Sequence, residues 1–345
     1  MGTTTKIKFA VIGMGHIGKR HAEMIKRNPE AELIALCDIR SKEDCGITHF
    51  IESFYSSIEE LLQKHQGIDV INICTPNGLH APMSIQAMEY GAHVVIEKPM
   101  ATSRKDAENI IQTSFKTNRN VFCVMQNRYS PPSVWLKEVI EKKLIGASYM
   151  IQVNCFWNRD KRYYTKETWH GSAELDGGTL FTQFSHFIDM VYWLFGDIFN
   201  ITGKFNDFNH HQLTAFEDSG NIQFDIVKGG MGSLNYSTAV YNKNLESSLA
   251  IIGEKGTIKV AGQYMNEVVY CDIEGYDMPE LAPSNPPNDY GAYKGSAQNH
   301  HYVIQNVVDK LNSNMPITTN ALEGMKVVDI IERIYTERDK NWKNI

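Results

Sequence analysis

The stretch from Glu174 to Asp189, ELDGGTLFTQFSHFID, sets polar side chains into an apolar run that an ordinary core helix would keep free of them. Thr182 and His186 are four residues apart and Gln183 stands three before His186, so one helix would carry all three on the same side. The types suit proton chemistry. An imidazole titrates near neutral pH, and a hydroxyl and an amide both donate and accept hydrogen bonds. A buried structural histidine is the competing reading of His186. Asp189 can fix that histidine indirectly or serve local structure, and the structural role is the expected one. Lys98, in IEKPM, is a second candidate, which by itself reads as a solvated strand-end charge, and Pro99 fixes the backbone after it, through a cis peptide if the turn calls for one.

A cofactor for such groups is indicated near the start of the chain. VIGMGHIG supplies Gly13, Gly15 and Gly18 in G-x-G-x-x-G spacing, directly after a strand-like run and before a helical one. The first glycine permits a tight turn, the second lets the backbone approach a pyrophosphate, and the third allows close packing of helix on strand. Met14, Gly15, His16 and Ile17 then bring their N–H groups to a helix start, which favours phosphate. Asp38, twenty residues after Gly18, ends the next strand, where a carboxylate accepts hydrogen bonds from ribose hydroxyls. It repels a 2′-phosphate and so favours NAD over NADP, although Arg40 is near enough in sequence to pair with that phosphate. Thr75, Asn77 and His80 in TPNGLH, Glu97 and Lys98 in IEKPM, and Gln126 in QNRYSP follow the third, fourth and fifth strand-like runs. Open α/β sheets bind ligands at that carboxyl edge, so all six are expected cofactor contacts. Lys98 can also reach a substrate hydroxyl beside the nicotinamide.

The elements that must position these groups fall into two halves. IKFAVIG, AELIALCD, VINICT, HVVIEK and NVFCVMQN alternate with helical segments, which predicts parallel strands with crossover helices. Ser57 with Glu60 and Ser103 before a charged turn read as helix starts. Residues 1–128 form this first domain, and residues 129–345 the second, with final helices that can pack back on the first. In the second half GASYMIQVNCFW, GNIQFDIVKGG, MGSLNYST, SLAIIGEKGTIKVAG and NEVVYCDI predict an open, mainly antiparallel sheet, preceded by a helix over Thr179–Phe195 and followed by two more. MPELAPSNPPNDYGAYKGS is long and rich in Pro, Gly and Asn, as an ordered functional loop or an oligomer arm would be.

At 345 residues the chain is long enough for two cores. A net charge of −6 gives no reason to expect nucleic acid, and neither an export signal nor a membrane-length apolar run is visible, so a cytoplasmic protein is expected. Six cysteines, never closely paired, read as buried thiols, with no metal site indicated.

Together GMGHIG, TPNGLH, EKP and DGG…H…D resemble the Gfo/Idh/MocA family of nicotinamide-dependent oxidoreductases, over nearly the whole chain. The resemblance implies an α/β protein: a Rossmann domain that binds NAD, then an α/β domain with an open antiparallel sheet through which dimers or tetramers assemble. It places the catalytic lysine at Lys98 and the catalytic histidine at His186. Many members carry Asp four residues before that histidine. Here Thr182 stands there, and a hydroxyl cannot hold a proton at neutral pH. The second half is most similar to the sugar-nucleotide 3-dehydrogenases that act on UDP-N-acetylglucosaminuronate, on the way to diacetamido-uronic acids of bacterial surface polysaccharide. Arg159, Arg162 and Tyr163 in FWNRDKRYYTKETWHG, with Lys98, Thr182, Gln183 and His186, are then the expected substrate contacts, because arginine pairs in a fork with carboxylate or phosphate. As a solvated charge run, that segment needs no function. A dehydrogenase of a free sugar or polyol and a regulator that senses NAD without turnover are the rival readings.

Overall fold

The computed structural model describes residues 6–165, 168–291 and 293–341. Two compact units emerge: Met1–Val124 with His300–Val328, and Met125–Asn299 with Asp329–Ile345. In the first, β1 (Ile7–Ile12), β2 (Ala31–Cys37), β3 (Ser53–Tyr55), β4 (Val70–Ile73), β5 (His93–Ile96) and β6 (Val121–Cys123) form one sheet in the order β3-β2-β1-β4-β5-β6, every pair parallel. Strand order reverses between β1 and β4, which makes that point the crevice for a ligand. Every residue of β4 is buried, as a strand covered on both faces requires. The helices α1 (His16–Arg27), α2 (Ile58–Lys64), α3 (His80–Tyr90) and α4 (Arg104–Thr117) connect the strands. Ser57 and Ser103 do cap α2 and α4, accepting from the N–H groups of Glu60 and Asp106.

The first unit ends at Val124, beside the boundary expected at 128, and takes back a later stretch of the chain. After the second unit, α7 (His300–Ser313) comes back to the first, burying Val303, Ile304, Val307 and Val308 and tying Gln305 to Asn28 at 2.9 Å. At Gly324, in α8 (Ala321–Asn341), an added Cβ would lie 2.4 Å from the Cys123 sulfur. A local pattern of apolar residues cannot say which sheet a late helix covers.

The second unit opens with α5 (Pro131–Glu141) and holds α6 (Ser185–Phe195). Its seven strands are β7 (Ser148–Phe156), β8 (Ile198–Asn206), β9 (Ser219–Ile226), β10 (Met231–Ser237), β11 (Glu246–Gly253), β12 (Gly256–Ala261) and β13 (Glu267–Ile273). They run β13-β12-β11-β7-β10-β9-β8, antiparallel throughout except for β7 beside β10. Ile151, Val153, Leu234, Leu249 and Ile251 are buried from the inner face, and Trp157, Phe184 and Phe187 pack edge to face in the same core. The Pro-rich segment is ordered on its own unit. Its hairpin, β14 (Pro287–Asp289) with β15 (Lys294–Ala297), buries Asn288 and Ser296.

Candidate active site

In the first unit the glycine loop is built around one open position. A Cβ on Gly13 would meet the Cys74 carbonyl oxygen at 2.5 Å, and one on Gly18 the Gly13 carbonyl oxygen at 1.8 Å, whereas Gly15 has nothing within 4 Å. Gly15 opens α1 without a side-chain cap, and the first turn holds no acidic residue, so its N–H groups suit a pyrophosphate. Asp38 accepts the Met14 N–H at 2.7 Å and a fork from Arg40, Nε to Oδ1 and Nη2 to Oδ2, both 2.9 Å. Burial raises the Asp38 pKa, but the bonds from Arg40 and Met14 outweigh it and hold the carboxyl below the usual range. Nε and Nη2 of Arg40 are thereby engaged on Asp38.

Two expected cofactor contacts have other duties. His80 is buried and directs Nδ1 at the Pro99 carbonyl (2.6 Å) and Nε2 at the Thr75 carbonyl (2.8 Å), so the ring ties the TPNGLH loop to the turn after Lys98. Glu97 also turns inward. Its Oε1 pairs with His21 Nε2 at 2.8 Å and lies 3.4 Å from His300 Nε2, while Oε2 accepts the Lys98 N–H at 3.1 Å. Burial raises the Glu97 pKa, yet His21 and His300 together bring it well below the usual value. The 2.8 Å contact is a hydrogen bond, shorter than the roughly 3.3 Å that two ligands keep around zinc. Lys98 thus stands on a carboxylate clamped by two histidines, and the Lys98–Pro99 peptide is cis. Asn77 and Gln126 are buried in their respective units.

The second unit explains the polar residues of ELDGGTLFTQFSHFID. The expected single helix is a π turn over Leu180–Phe184 that runs into α6, and π turns are frequent at functional sites. Gln183 Oε1 accepts Arg159 Nε and its Nε2 donates to the Tyr163 hydroxyl, both at 2.8 Å. The Thr182 hydroxyl donates to a carboxylate oxygen of Asp176. Asp189 takes a fork from the buried Arg128 at 2.8 and 2.6 Å. A Cβ on Gly178 would lie 2.4 Å from the Tyr335 hydroxyl, which accepts the Leu180 N–H at 2.8 Å.

The two arginines separate. Arg162 is exposed and forked onto Asp160, with Nη2 2.8 Å from Oδ2, so its charge is already met. Arg159 is 2% exposed and bonds to neutral acceptors: Gln183, the Asn158 and Lys294 carbonyls, and Asn244 Oδ1. The rings of Trp157, Tyr163 and Tyr293 surround it at 4.8 to 5.3 Å. Burial lowers its pKa, against the nearby tyrosines.

Two family models match this chain in sequence order. An oxidoreductase family with an NAD-binding Rossmann fold covers residues 7–125, and the GFO/IDH/MocA C-terminal domain covers residues 134–259. The chain belongs to the GFO/IDH/MocA family. Its first unit is accordingly an NAD-binding Rossmann domain. Two solved structures are similar to this chain over almost their full length. The WlbA dehydrogenase of Bordetella pertussis, solved with NADH and UDP-GlcNAcA, is 29% identical with a TM-score of 0.86, covering 98% of each chain. The WlbA dehydrogenase of Chromobacterium violaceum, with the same two ligands, is 29% identical at a TM-score of 0.86, covering 99% of this chain and 96% of that one. Among curated relatives, the glucose-6-phosphate 3-dehydrogenase of Bacillus subtilis is 24% identical over 97% of both chains. Against this GFO/IDH/MocA frame, sequence reasoning missed His21, His300, Asp176, Asn244 and Tyr293. His21 had a signal, a histidine on the apolar side of α1. The others lie in loops or at element ends, where no period marks a buried polar group.

Proposed function

We propose that the chain is an NAD-dependent dehydrogenase that oxidises the 3-hydroxyl of UDP-N-acetylglucosaminuronate to the 3-keto sugar. The observation that carries the substrate class is Arg159, a buried guanidinium that no carboxylate among the described residues neutralises. Burying an uncompensated charge costs several kcal/mol, on the order expected from desolvation. An acidic ligand offsets that cost, and the four bonds above leave one of the five guanidinium hydrogens to meet it. The two WlbA enzymes, solved with UDP-GlcNAcA, support the same class.

Gly13, Gly15 and the start of α1 would hold the pyrophosphate, with Asp38 on the adenosine ribose. NAD, when bound, supplies the hydride acceptor. His186 takes the hydroxyl proton, and Lys98 donates a hydrogen bond to the same oxygen, stabilising the alkoxide as it develops. Glu97, fixed by His21 and His300, holds the Lys98 backbone.

A thermal-shift panel with saturating NAD tests the substrate class, since only a ligand that binds the native state raises the melting temperature. UDP-N-acetylglucosaminuronate is expected to raise it most. A larger rise with myo-inositol or glucose 6-phosphate would assign the enzyme to the free-sugar dehydrogenases.

A further inference from the structure

Asp176 ends the ELD segment, and its side chain has no exposed surface. Oδ2 accepts the Gly171 N–H at 2.8 Å and lies 4.0 Å from His170 Nδ1, while Oδ1 accepts the Thr182 hydroxyl hydrogen. A threonine hydroxyl has one hydrogen and two lone pairs. With that hydrogen given to a carboxylate, Thr182 offers only acceptor capacity on its other side. An α turn takes 3.6 residues and a π turn more than four, so a separation of four sets Thr182 and His186 on one face. Asp176 therefore puts a negative charge one hydroxyl away from the face that His186 occupies, in a buried setting that screens it weakly.

We propose that Asp176 is a positioning residue for proton transfer: it fixes the Thr182 hydroxyl as an acceptor and favours the imidazolium that His186 forms on taking the substrate proton. The proposal rests on the reading that His186 is the proton acceptor of a dehydrogenase. Among the described residues of the second unit, His170, Tyr163 and Tyr164 are titratable groups that face Asp176. Both tyrosines are held well above the usual phenol range, by burial first and by neighbouring charge that includes Asp176. His170 is then a second imidazole that reports the same carboxylate.

The test is a histidine titration by NMR on NAD-saturated protein without substrate, His186 being assigned by its loss in His186→Gln. In Asp176→Asn, the midpoints of both His170 and His186 are expected to fall, His186 by roughly half a unit or more. The acid limb of the kcat/KM profile moves to lower pH with it. A His186 midpoint that stays put, with or without a fall at His170, overturns the proposal and leaves Asp176 as a clamp of its own turn. Thr182→Val is the second probe, useful even where Asp176→Asn folds poorly. It should lower turnover while the His170 midpoint holds, and Thr182→Ser should recover most of the loss. Equal turnover in the Val and Ser variants also overturns the proposal. Because the titration needs no substrate, a protein that oxidises no UDP-sugar refutes the sugar-nucleotide reading separately, and one that oxidises no carbinol refutes the dehydrogenase reading.

Discussion

Thr182, Gln183 and Asp189 of the TQFSHFID run each answer to a specific neighbour, and the two arginines of the preceding segment separate buried from surface chemistry. Gln183 holds Arg159, which is buried without a counter-charge among the described residues, whereas Arg162 spends its fork on Asp160 in the open. Arg159→Ala is expected to weaken UDP-N-acetylglucosaminuronate by roughly 10- to 100-fold, the loss of a charge-assisted bond of about 1.5–3 kcal/mol. Neutral UDP-N-acetylglucosamine should be affected much less. That ratio cancels any general loosening of the pocket. Arg162→Ala should change either ligand little, since exposed ion pairs contribute about 0–1 kcal/mol. Calorimetric titration of both ligands on both variants checks this, and equal losses for the two sugars on Arg159→Ala would assign the arginine to phosphate or to packing.

At the scale of elements, the start of the π turn depends on a glycine whose reason is not local. Gly178 has φ +133°, and any Cβ there would run into Tyr335 of α8. Gly178→Ala is expected to cost roughly 1–3 kcal/mol from the strained backbone alone. Tyr335→Phe, which strips the acceptor from the buried Leu180 N–H, should cost about 1–3 kcal/mol. Melting curves read both, at roughly 2–4 °C per kcal/mol for units of this size; unchanged curves would mean that α8 does not brace the turn. Five strands of the first sheet and six of the second unit were legible because apolar period and glycine turns are local signals. β3 is three residues long and β8, IFNITGKFN, is mostly exposed, so neither carries an apolar alternation to read. The cofactor loop was legible from spacing, whereas Lys98 and His186 were singled out by their resemblance to the family's lysine and histidine. Asp176 behind Thr182, His21 and His300 behind Glu97, and Tyr335 behind Gly178 were not, because each pair joins distant or irregular stretches.

For the whole molecule, we expect a second copy to dock on the outer face of the seven-stranded sheet, which is only partly apolar. Met231, Met150 and Ile252 make one exposed apolar row across β10, β7 and β11, but Asn221, Asn235, Asn154 and Ser248 form a hydrogen-bonded polar row beyond it. Light scattering is expected to show a dimer or tetramer, and Met150→Asp with Ile252→Asp to dissociate it; a wild-type monomer of 39.2 kDa would contradict assembly through this face. No helix among the described residues is long and apolar enough to cross a membrane. The central claim, oxidation of a UDP-uronate by NAD, is tested most directly by absorbance at 340 nm after mixing stoichiometric enzyme, NAD and UDP-N-acetylglucosaminuronate. The stoichiometric mix reads hydride transfer whether or not NADH leaves the protein. The account predicts a rapid rise towards one NADH per subunit, slowed roughly 10²- to 10⁴-fold in Lys98→Ala and in His186→Ala. No rise with the uronate, in a protein that reduces NAD with a free sugar or polyol, would contradict it.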